Sequence, residues 1–165
     1  MIDRTPIAVF APLPETIRRT LEAEGCRVPQ PSRTLLGNTY EPANMTVGRF
    51  FDPERYDWAV LCSVGGVSSI RVFWGEDGKA FPACPGRIAE APDSAHQQDI
   101  GGNPAYSRMI SRIDPKTMRE RLAAHGQPAP GYSFEHEGIE DAFMGKGSTI
   151  HYCEGGEWHV MLGAD

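Results

Sequence analysis

Between Tyr56 and Ser63 the chain reads YDWAVLCS, with Trp58, Val60 and Cys62 on one parity and Ala59 and Leu61 on the other. Successive side chains of a strand point to opposite faces, so a run that is apolar on both parities must be covered on both. This constrains the fold more than any other feature, because it demands a strand at the centre of a sheet with a layer above and a layer below. Turn signals bound it. Gly65-Gly66 reverses the chain, and SSIRVFW returns with Ile70, Val72 and Trp74 on one side and Arg71 and Phe73 on the other. MTVGRFFD precedes as a further strand, so residues 45–74 predict a three-stranded antiparallel meander, closed by the Gly/Asp turn GEDGK.

The remaining elements sit around this meander. Leu13, Ile17 and Leu21 recur every four residues behind Pro14, and Gly25 supplies a stop, which predicts a first helix. Asp114 as N-cap, Pro115 at the first helical position, Met118 and Leu122 on one face and Gly126 as the stop predict a second. GRIAEAP reads as a short edge strand, AYSRMISRI as a strand or short helix, and SFEHEGIEDAFM as an irregular segment with an acidic face. The closing stretch STIHYCEGGEWHVMLGAD, residues 148–165, reads as a hairpin around EGGE. Its tight turn sets Cys153 opposite Trp158 and Tyr152 opposite His159, and sends His151 and His159 to opposite faces. The expected architecture is α+β: one domain over residues 1–165, with an antiparallel sheet of about five strands and one or two packed helices. The sequence shows no evident internal repeat.

Composition bounds the function. With 22 acidic and 16 basic residues the formal charge is -6. The scattered Lys and Arg do not make the basic footprint of a nucleic-acid binder, and no apolar run reaches the length of a membrane span. Neither nucleic acid nor a membrane is an expected partner. Cys26, Cys62, Cys84 and Cys153 contain no CxxC and no zinc spacing. They read as two disulfides, hence as a periplasmic or secreted protein, against the alternative of four buried thiols in the cytoplasm. Three connectivities are open. Cys26–Cys62 with Cys84–Cys153 is the expectation taken here, although spacing does not separate it from the other two. The opening residues Met1-Ile2-Asp3-Arg4 do not read as a signal peptide.

Candidate chemistry is sparse. GxSxG, a Walker loop and a dinucleotide fingerprint are all missing, so no cofactor is expected. Cys62, inside an apolar strand, reads as a buried structural residue and not as a nucleophile. The richest cluster is EHEGIED, residues 135–141, where His136, Glu137, Glu140 and Asp141 are the candidate ligand-binding residues. On a helix His136 and Glu140 would share a face, a geometry that holds metals, but the second His of HExxH is lacking and no metal is expected. A net-negative surface there would steer toward a cationic partner, so a basic protein or a small ligand is the expected partner. The leading expectation is a binding or inhibitor-like protein without catalysis. The alternatives are a small hydrolase using His and carboxylates, and a structural interaction domain.

The stretch VGRFFDPERYDWAVL, residues 47–61, resembles a single strand–loop–strand unit of FG-GAP or VCBS repeats. Gly48, Phe50, Asp57, Ala59 and Val60 stand in that family's frame. The resemblance implies a strand–loop–strand and an extracytoplasmic setting. It does not imply the family's calcium site, because Phe51, Pro53 and Glu54 occupy loop positions where Asp or Asn ligands belong, and one unit cannot make a propeller. More broadly, GC-x-VPQ, DWAVLCS and the closing HYC…W…GAD segment resemble uncharacterised secreted bacterial proteins. Cys26, Trp58, Cys62, Cys153 and Trp158 carry that likeness.

Overall fold

The strand at the centre of the sequence is also at the centre of the molecule. A computed structural model describes residues 1–37, 41–126 and 131–165. In it β4 (Asp57–Val64) pairs antiparallel with β3 (Met45–Gly48) and with β5 (Val67–Phe73), which is the expected meander. The sheet continues through β2 (Arg27–Pro29) and β1 (Arg4–Pro6) on one side and β6 (Arg87–Pro92) on the other, giving six strands. β2 and β3 lie end to end along the same edge of β4, pairing with Ser63 and with residues 57–60. A two-stranded ribbon, β7 (Gln97–Ile100) with β8 (Asn103–Tyr106), follows. A second sheet of four strands runs β12-β11-β10-β9, from β9 (Arg108–Ile113), β10 (Gly138–Phe143), β11 (Gly147–Glu154) and β12 (Glu157–Leu162). The helices are α1 (Glu15–Ala23) and α2 (Pro115–Ala124).

The α+β class therefore stands, but the strands divide between two main sheets where one of about five strands was expected. Double-sided apolar patterning shows that β4 is covered on both faces, and it does not show by what. On one face Val60 and Cys62 meet α1 through Ile17 and Leu21, with Phe10 and Leu13. On the other, Ala59 and Leu61 meet the second sheet through Ile110, Ile139 and Cys153. The far face of that sheet packs Ile150, Tyr152 and Met161 against Met118 and Leu122 of α2. The order of layers is helix, sheet, sheet, helix.

These layers contain a repeat that the sequence hid. β1-α1-β2-β4-β5 and β9-α2-β10-β11-β12 have the same order of elements, and each strand is antiparallel to the next. The helical stretches PETIRRTLEAEG (14–25) and PKTMRERLAAHG (115–126) align without gaps, and their buried pairs, Ile17/Leu21 and Met118/Leu122, coincide. Both hairpins turn on a Gly-Gly pair of positive φ, Gly65-Gly66 and Gly155-Gly156, as a primed turn requires. The strands themselves have diverged, so the likeness survives only at caps, turns and the two core positions of each helix.

Side chains fasten the two sheets together. Asn44, fully buried, donates from Nδ2 to the carbonyls of Pro29 and Arg108 and accepts the Ile110 amide, so the first sheet caps the free edge of β9. The disulfides are Cys26–Cys62, inside the first βαβββ unit, and Cys84–Cys153, between the two units. This is the pairing expected above, and two disulfides fit an oxidising, extracytoplasmic environment. Trp74 and Trp158 stack beside the second bond with centroids 5.9 Å apart. Among the described residues no helix is long and apolar enough to cross a membrane.

Candidate functional site

The expected cluster at residues 135–141 is neither irregular throughout nor helical. Its second half is β10 (Gly138–Phe143), held between β9 and β11, and His136 lies before it, so the chain is extended here and the single helical turn that would bring His136 beside Glu140 is absent. Alternation splits the four candidates. Glu140 points toward α2, where it pairs with Arg121 and accepts a hydrogen bond of 2.6 Å from Ser148 Oγ. Asp141 points between the sheets, on the face of Ile139. His136 is buried and stacks on Tyr152 at 4.3 Å, and Glu137 accepts the Arg49 amide at 2.9 Å. Hence the structure does not bring His136, Glu137, Glu140 and Asp141 together. It distributes them over three: His136 and Glu137 beside the loop at 49–56, Glu140 against Arg121 of α2, and Asp141 between the sheets.

The first place joins two stretches that lie far apart in the chain. The Glu137 amide donates to the Arg49 carbonyl at 2.8 Å, so residues 135–137 lie beside the loop that connects β3 to β4. Gly48 permits this approach, because a Cβ there would fall 2.8 Å from the Glu137 carboxylate. The Phe51 ring packs 6.3 Å from His136, and Arg49 lies 4.8 Å over Tyr56 while donating to its hydroxyl. Phe51 and Tyr56 remain 45% and 38% exposed, flanked by the exposed carboxylates of Glu54 and Glu135. The loop holds its shape through Asp52, which caps the Glu54 amide, and through buried Asp57, which accepts from the amides of Phe50 and Gly75. Burial raises the Asp57 carboxyl above its ordinary range, while the Gly75 amide, Arg55 and the Phe50 amide pull it back.

The third place is an open cleft of about 320 Å³ at the polar end of the inter-sheet layer, lined by His96, Asp141, Phe143, Lys146, Ser148 and Thr149. Its floor rests on Arg108, which is 1% exposed. Arg108 donates from Nε and Nη2 to the two Asp141 oxygens at 2.9 and 2.8 Å, and reaches across to Ser68 Oγ and the Ala89 carbonyl on the first sheet. His151 Nε2 lies 3.8 Å from Asp141 Oδ2, an ion-pair distance and too long for a hydrogen bond. Burial pushes the Asp141 carboxyl up, but His151 and Arg108 outweigh it and hold it at about 2. His96 stands over Phe143 at 5.6 Å. It is fixed there by the Ser107 amide, which donates to the His96 carbonyl, and by Gln98 Nε2, which donates to the Met144 carbonyl. Burial lowers the pKa of His96, and the charge of Arg108 lowers it further.

Arg108, His96 and His151 were not singled out in the sequence as site residues. A usable signal existed for Arg108, which occupies the parity of Tyr106 and Ile110 and so puts a guanidinium on an otherwise apolar face. Cys62 is bonded to Cys26 and is 3% exposed, as its position in an apolar strand implied. Among the described residues no three His, Cys, Asp or Glu side chains converge to hold a metal ion. No protein-family model, curated protein or solved structure matches this chain.

Proposed function

We propose that this protein is an exported bacterial binding protein, periplasmic or secreted and inhibitor-like in action, that engages a basic protein through the surface made by residues 49–56 and 135–137. The observation that carries the reading is the juxtaposition of exposed Phe51 and Tyr56 with the exposed carboxylates of Glu54 and Glu135. Exposed aromatic side chains supply contact area at an interface and stack on guanidinium groups, while the carboxylates select for positive charge. The overall charge of -6 favours encounter with the same class of partner. The hydrolase alternative, using His and carboxylates, finds less support at His136, which is buried, stacked on Tyr152 and has Nδ1 at 2.9 Å from the Glu137 carbonyl.

The test is affinity capture from an envelope extract, with the wild-type chain and Glu54→Lys/Glu135→Lys side by side. A basic partner retained by the wild type, released by salt and lost from the charge-reversed variant supports the proposal. Retention of the same partner by both proteins refutes it.

A further inference from the structure

We infer that the cleft between His96 and Thr149 is a second binding site, for a neutral, hydroxyl-rich ligand of the saccharide class. Three observations lead there. At about 320 Å³ the cleft falls at the small end of the ligand-site range, which suits one or two sugar rings. Two buried ring nitrogens in or next to its lining lack partners: Nδ1 of His96, which lines it, and Nε2 of His151, which lies 3.8 Å from the lining carboxylate of Asp141. The His151 side chain is 7% exposed, so its Nε2 lacks the hydrogen bond that burial normally demands.

Charge then decides the class of ligand. Both Asp141 oxygens accept from Arg108, and that guanidinium is spent on Asp141, Ser68 and Ala89. No guanidinium fork is left to grip a carboxylate or phosphate in the bidentate way that anion sites favour. The Asp141 charge is compensated, so the floor holds no free counter-charge for an amine either. Lys146 stands 4.6 Å over the Phe143 ring at the rim. The Ser148 hydroxyl is used, donating to Glu140 and accepting the Ala164 amide. What remains is a set of groups that want both donors and acceptors: the His96 imidazole, a carboxylate with lone pairs to spare, the Thr149 hydroxyl and the Lys146 ammonium. A hydroxyl serves all of them, since it donates and accepts, and an array of hydroxyls on a small ring serves several at once.

The experiment is titration of the ¹⁵N-labelled protein with glucose, galactose, N-acetylglucosamine and maltose, alongside glucuronate and glucosamine as charged counterparts. Saturable shifts of the Phe143 and Thr149 amides with a neutral sugar are expected, stronger than with either charged counterpart. His96→Phe should weaken binding by about tenfold, the loss of one hydrogen bond to a buried partner, and His96→Gln should restore part of it. Thr149→Val serves as the second variant if His96→Phe does not fold. Glu54→Lys/Glu135→Lys should leave sugar binding unchanged, which separates this site from the protein-binding surface. The inference is overturned if no neutral sugar saturates, as when water alone satisfies these atoms, if a charged counterpart binds tighter, or if His96→Phe binds like the wild type.

Discussion

Cys84→Ala/Cys153→Ala removes the disulfide between the two βαβββ units, and its effect follows from chain length. The bond spans a sequence separation of 69, against 36 for Cys26–Cys62. In the loop-entropy account a closed loop of the longer size restrains the unfolded chain by about 4.4 kcal/mol, and one of the shorter size by about 3.8 kcal/mol. The two loops do not overlap in sequence, so the terms add to about 8 kcal/mol, against the 5–15 kcal/mol by which a domain is usually stable. Cys153 is also fully buried in the inter-sheet cluster, so truncation leaves a small void that adds about 1 kcal/mol. At roughly 2–4 °C per kcal/mol for a chain of this size, the double variant should melt some 10–20 °C below the wild type. Calorimetry and urea melts followed by tryptophan fluorescence would measure this. The m-value should rise, because the unfolded chain expands once the link is gone. A fall of less than about 3 °C, or a larger fall for Cys26→Ala/Cys62→Ala, would refute the reasoning, since both the loop lengths and the placement of the second bond between units require the opposite order.

Arg108→Met strands the Asp141 carboxylate in a buried setting and should destabilise the fold by about 3–5 kcal/mol in urea melts, while Arg108→Met/Asp141→Leu should recover most of that loss. Asp141 is held at about 2 in the folded protein against an ordinary value of 3.8, so it favours the folded state above pH 4 and loses that contribution as pH falls from about 4 to about 2. The loss is roughly 2 kcal/mol, and Asp141→Asn should flatten this limb of the stability–pH curve. Asn44→Ala removes three buried hydrogen bonds, two of them between the sheets, and should cost about 2–4 kcal/mol, read as a lower urea midpoint with the fold retained.

The sequence was most legible where one local rule governs a whole element. Asp114, Pro115 and Gly126 bounded α2, with Asp114 Oδ1 accepting the Thr117 amide, and the Gly-Gly turn fixed the final hairpin register, Cys153 opposite Trp158 and Tyr152 opposite His159. The double-sided pattern of β4 announced a buried centre. Residues 135–141 defeated the same procedure because β10 carries polar residues on both faces, Glu140 toward α2 and Asp141 between the sheets. Each is paid for by an arginine distant in sequence, Arg121 and Arg108, and periodicity does not register partners of that kind. The second sheet was missed for a related reason, since apolar parity tells that a face is covered and is silent about the cover.

The duplicated plan also explains where the candidate surfaces lie. Matching β1-α1-β2-β4-β5 to β9-α2-β10-β11-β12 by element order leaves parts of the first unit and its connection without counterparts: β3 with the loop at 49–56, β6, and the segment from Asp93 through β8. Both candidate surfaces are built where such a departure meets the second unit. The loop at 49–56 lies against Glu137 and His136 before β10, and His96 lies against Phe143 at its end. The matching parts of the two units are committed to one another through the shared core of Leu61, Ile70, Ile110 and Ile139, where any change of volume or polarity destabilises both sheets. The unmatched parts carry less of that burden and are free to hold exposed aromatics, unpaired carboxylates and imidazoles with unused nitrogens. Recognition on this scaffold therefore belongs to the departures from its symmetry, and variants at Glu54, Glu135 and His96 should alter binding while leaving the melting temperature within a few degrees of the wild type.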